Sequence, residues 1–91
     1  MSAPAGTADR IEEILRRDFT PSELVVDDVS YQHAGHRAAG GGGHFNVLIK
    51  SKRFNGLAPL ARQRLVIESV KEMMDREIHA LSMKCLPEGE K

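Results

Sequence analysis

Near Glu77 the apolar residues of this chain stop recurring at helical spacing and begin to alternate, so a helix runs almost directly into a strand. That junction constrains the fold more than any other feature, because two further strand segments lie upstream of the helix. Joined only by a loop, those two segments form an antiparallel hairpin. A strand reached through a helix instead returns parallel to one of them, by a right-handed crossover. The sheet must therefore be mixed, and its helices must lie on one face.

The remaining elements fall around that junction. Ile11, Ile14, Leu15 and Phe19 share a helical face, Thr7 can cap it, and Pro21 closes it, which predicts a first helix from about Ala8 to Asp18. Glu23 to Ser30 is rich in Val and reads as a strand. Phe45, Val47 and Ile49 alternate with Asn46, Leu48 and Lys50 in a second, clearer one. Between them Gln32 to Gly43 reads as a mobile loop ending in consecutive glycines. Phe54-Asn55-Gly56 reads as a turn, and Pro59 fits the first turn of a second helix whose apolar face is Leu60, Ile67, Val70 and Met74. His79, Leu81, Met83 and Cys85 then alternate with Ala80, Ser82 and Lys84. The expectation is an α+β domain of order αββαβ, a three-stranded mixed sheet covered on one face by two helices. Residues 1–7 are expected as a flexible tail, 8–86 as the domain, and Pro87 onward as a second tail.

A chain of 91 residues has room for one domain and a single apolar layer. With 13 Lys+Arg against 13 Asp+Glu it lacks the excess positive charge of a protein devoted to gripping phosphates. The charges are unevenly placed, however. No Asp or Glu lies between Val29 and Ile67, so Lys50, Lys52, Arg53, Arg62 and Arg64 could form a local basic surface for a partner or for nucleic acid. The single cysteine, Cys85, excludes an internal disulfide and fits a reducing compartment, while no apolar run approaches the ~20 residues of a membrane span. A cytoplasmic monomer with no membrane attachment is the expectation. Cys85 has the parity of Leu81 and Met83 and reads as a buried, inert thiol. No Ser/His/Asp or Cys/His arrangement, paired acids in a cleft or phosphate loop is evident, so an enzyme is not expected.

His33 and His36 fall in the glycine-rich loop, His44 opens the second strand as a structural residue, and His79 sits at the helix–strand junction. Two histidines and a buried thiol do not complete a tetrahedral metal site, so any metal held here needs ligands from a second chain.

Several segments, taken in order, resemble the BolA family: Tyr31-x-His33, His44-Phe45, Ser51-x-x-Phe54-x-Gly56, Arg62-Gln63-Arg64-Leu65-Val66 and Ile78-His79-Ala80-Leu81. The resemblance implies an αββαβ fold related to the type II KH arrangement. It implies a monothiol glutaredoxin of the Cys-Gly-Phe-Ser type as partner. It also implies a bridging [2Fe-2S] cluster shared with that glutaredoxin and glutathione, and no cofactor in the isolated chain. The family's C-terminal ligand falls on His79 and its loop ligand on His33 or His36. Gln63 stands where the family commonly has the histidine of Arg-His-Arg. A KH-like regulator of transcription that binds DNA is the alternative the same resemblance carries.

Overall fold

The computed structural model describes residues 6–30 and 43–89. The chain runs α1 (Thr7–Phe19), β1 (Glu23–Asp28), β2 (Gly43–Ser51), α2 (Pro59–Ser69) and β3 (Ile78–Pro87), with short 3₁₀ turns at Lys52–Phe54 and Lys71–Met73. The sheet order is β1-β2-β3. β1 pairs antiparallel with β2, and β3 pairs parallel with it. This is the mixed sheet that the helix-to-strand junction demands.

Alternation along β2 decides which face is covered. Phe45, Val47, Ile49 and Ser51 are buried, while Asn46 between them is exposed. Both helices pack on that buried side: Ile11, Leu15 and Phe19 from α1 join Val66 and Val70 in one core with Phe54, Met73 and Ile78. Leu24 and Val26 of β1 and Leu81, Met83 and Cys85 of β3 complete it. The other face carries Val25, Leu48 and Lys84 in one cross-strand row, and among the described residues no helix packs on it.

The Ser51-x-x-Phe54-x-Gly56 segment is a structural joint. The Ser51 hydroxyl, fully buried, donates to the Phe19 carbonyl at the end of α1 (2.8 Å) and accepts from the Arg53 N–H (3.1 Å). Phe54 is fully buried against Phe19, ring centroids 5.3 Å apart, a contact worth ~0.5–1.5 kcal/mol beyond its area. Gly56 follows at φ +78°, a conformation that favours glycine.

Several expected boundaries move. β1 stops at Asp28 instead of Ser30, because the Asp28 carboxylate accepts from the Ser30 N–H (2.9 Å) and curls the chain. Gly43 belongs to β2, not to the loop, and Thr7 belongs to α1. Pro87 ends β3 where a tail was expected, and the Glu88 N–H is anchored by the Asn55 side chain (2.9 Å). The larger correction concerns α2, whose buried side is Val66, continued by Val70 and Met73. Leu60 and Ile67 are 60% and 39% exposed, so the face Leu60-Ile67-Val70-Met74 does not exist. The helix ends at Ser69 and tightens into the 3₁₀ turn, so a 3.6-residue phase cannot be carried from Ile67 to Met74.

Candidate functional site

The ladder between β2 and β3 contains one irregularity, and it falls on His79. Gly43 pairs with Ile78, but the next residue of β2, His44, pairs with Ala80. His79 is therefore the extra residue of a β-bulge. Without the bulge, His79 would share the parity of Leu81, Met83 and Cys85 and point into the core. With it, Ile78 is fully buried, Leu81 still faces inward, and His79 is exposed.

The exposed imidazole is not alone. The His44 ring lies beside it, centroids 5.8 Å apart and planes within 14° of parallel. His44 is held in place through its backbone: its N–H donates to the Ser30 hydroxyl (3.0 Å), and its carbonyl accepts from the Val29 N–H (2.9 Å). On the other side, the Gly43 N–H donates to the Glu77 carbonyl (2.9 Å), tying the start of β2 to the turn before β3. A Cβ at Gly43 would come within 2.6 Å of the Ser30 hydroxyl and 2.9 Å of the Phe45 ring, so only glycine permits this close packing. Arg10 of α1 pairs with Glu77 at 2.7 Å and braces the same turn.

Two nitrogens bound to one ion lie no more than ~4.2 Å apart, a separation these rings can reach by turning their edges together. The donor set suits zinc or iron, and an iron–sulfur cluster accepts two histidines on one iron. Yet among the described residues no group of three or more His, Cys, Asp or Glu side chains is placed to hold a metal. The pair can contribute to a metal site but not complete one. The other expected ligands, His33 and His36, lie outside the described residues. His44, expected as a structural residue, is in fact the ring next to His79. Its position on the open face was legible from strand parity. Its partner was not, since nothing in the sequence announces the bulge.

The five basic residues do not share one surface. Lys50 has the parity of the open face. Arg53 donates to the Asp18 carbonyl (2.6 Å) and lies over the Phe19 ring at 5.0 Å, on the helix side. Arg62 donates to the carbonyls of Leu57 (2.7 Å) and Cys85 (3.2 Å), stitching α2 to β3. Lys52 and Arg64 are exposed. Cys85 is half-buried on the core side. Burial pushes its thiol up to about 11, with the Arg62 charge pulling only partly back, so the free thiol keeps its proton at neutral pH.

The family model described as BolA-like protein matches residues 15–90. The chain is 46% identical over 80 residues to "Protein BOLA1, chloroplastic" of Arabidopsis thaliana, covering 84% of this chain and 50% of that protein. It is 40% identical over 75 residues to "DNA-binding transcriptional regulator BolA" of Escherichia coli, covering 82% and 70%. Among solved structures, the BolA domain of SufE1 from Arabidopsis thaliana matches with a TM-score of 0.84 at 38% identity, over 98% of this chain and all of that one. The chain thus spans half the length of the chloroplastic relative.

Proposed function

The chain belongs to the BolA-like family, and from that membership we propose that it is a non-catalytic adaptor. It binds a monothiol glutaredoxin of the Cys-Gly-Phe-Ser type and co-ligates a [2Fe-2S] cluster with that partner and glutathione, in cluster trafficking or iron regulation. The observation that carries this reading is the bulge. It takes a side chain that would otherwise lie in the core and presents it, bare, beside a second imidazole.

His79 supplies one ligand, and a second imidazole comes from His44 or from the loop. The loop's two roots, Ser30 and Gly43, flank His44. When bound, the cluster brings electron-transfer and sulfide chemistry. The protein's own part is to hold imidazoles in position and leave the remaining coordination to thiolates of the partner.

The test is anaerobic assembly with a Cys-Gly-Phe-Ser glutaredoxin, iron, sulfide and glutathione, followed by size exclusion and visible circular dichroism. A heterodimer whose cluster spectrum changes with His79→Ala is the expected result. Parallel His44→Ala, His33→Ala and His36→Ala variants identify the second ligand. A spectrum indifferent to His79 would overturn the reading.

The E. coli relative's name favours a second reading, a nucleic-acid-binding regulator. Against it, Lys50 faces away from the helix-side cations, and Arg53 and Arg62 are engaged with backbone carbonyls. A DNA affinity that fell steeply with salt and depended on Lys52 and Arg64 would support it.

A further inference from the structure

We infer that the cluster-bearing partner seats on the face of the sheet opposite the helices, along β2 and β3, and not on the outer surface of α2. The inference rests on the adaptor reading and adds the direction of approach. His44 has the parity of Asn46, Leu48 and Lys50, so its ring projects on the side away from both helices. The bulge places His79 against that ring, on the same side. The histidines therefore mark one end of the open face.

The rest of the face has the make-up of an interface. Val25 is 45% exposed, and it pairs with Leu48, which pairs in turn with Lys84. The neighbouring row pairs Lys50 with Leu86. An apolar centre is thus flanked by Lys50 and Lys84, with Glu23 across from Lys50 and Asp27 across from Asn46 on the same face, and Leu48 stands four residues from His44, ~13 Å along the strand. A standard interface covers ~800 Å² per partner, a patch ~32 Å across. A partner that contacts His79 from the open side and buries that much surface reaches Leu48 and Lys84.

The exposed Leu60 and Ile67 of α2 lie in the helix layer, across the sheet from this face. A protein seated there is turned away from the His44–His79 pair.

The experiment measures binding of cluster-loaded glutaredoxin by fluorescence anisotropy to the wild type, to open-face variants Val25→Glu and Lys84→Glu, and to helix-face variants Leu60→Glu and Arg64→Glu. Urea unfolding confirms that each variant is folded. The open-face variants are expected to raise Kd at least tenfold, while the cluster spectrum of the complex at saturation stays that of wild type. The helix-face variants stay within twofold. The placement is overturned if the helix-face variants weaken binding and the open-face ones do not, or if neither set does. If wild type forms no complex, the adaptor reading falls and takes the placement with it. If wild type binds and its spectrum responds to His79→Ala while open-face variants bind normally, the placement alone fails.

Discussion

Ser51→Ala is the substitution whose cost follows most directly from the structure. The hydroxyl makes two hydrogen bonds that water cannot replace equally: one to the fully enclosed Phe19 carbonyl side of the joint, one to the half-buried Arg53 N–H. Stranding a buried carbonyl costs ~1–3 kcal/mol, and losing the second, partly solvated bond adds ~0.5–1.5 kcal/mol. The total is about 2–4 kcal/mol out of the ~5–15 kcal/mol that hold a domain together. At ~4–8 °C per kcal/mol for a chain of this size, Tm should fall by at least ~8 °C. The assay is urea unfolding followed by far-ultraviolet circular dichroism, with an unchanged m value as the check that the two end states are the same. Arg53→Ala is the control. It removes the guanidinium from Asp18 and Phe19 but keeps the backbone N–H, and should cost no more than ~1 kcal/mol. If Ser51→Ala lies within ~0.5 kcal/mol of wild type, the joint is not held by that hydroxyl and the reasoning fails.

Other outcomes follow from single features. Gly56→Ala forces a Cβ into φ +78° with no steric neighbour, so a loss of ~1–2 kcal/mol in urea unfolding would be purely conformational. Thr20→Gly should do the reverse: this β-branched residue ends α1 at φ 39°, and glycine there should stabilise by ~0.5–1 kcal/mol in the same assay. Native Cys85 should react with iodoacetamide at pH 8 at least tenfold more slowly than in urea. Because burial raises its pKa from 9.0 to about 11, the folded state keeps the proton longer than the unfolded one, and stability should decline between those pH values. The Asp18 carboxyl is held below its usual 3.8 by hydrogen bonds from Arg17 and then Ser69. Its contribution is present above that pH and is lost as pH falls through the lower folded value, so Asp18→Asn should flatten the acid limb of stability measured against pH.

The fold was largely legible because most of its elements carry their period openly. Ile11, Leu15 and Phe19 on α1, and Phe45, Val47 and Ile49 on β2, lie where spacing puts them. The second helix misled because apolar residues sit at Leu60, Leu65, Val66 and Ile67, around more than one side, and only contact with the sheet decides which are buried. The site was legible in part. His79 stood out as a residue at a junction, but its exposure depends on a register shift that leaves no mark in composition or period. The pairing with His44 is a contact between strands far apart in the chain, and no local pattern encodes it. The Ser51-x-x-Phe54-x-Gly56 segment could be quoted as a signature but not explained. Its reason, a hydroxyl closing one helix while an aromatic ring packs beneath it, exists only in three dimensions.

The bulge has one more consequence, for what can be changed in β3. Remove residue 79 from the count and the ladder closes without a gap: Ile78 opposite Gly43, Ala80 opposite His44, Leu81 opposite Phe45. Excising a residue between Leu81 and Cys85 would instead turn an inward row outward. Position 79 is thus a supernumerary in a strand already complete without it. Its side chain is invisible to the core and legible only from outside, so the chemistry displayed there can be altered, or deleted, while the interior stays as it is.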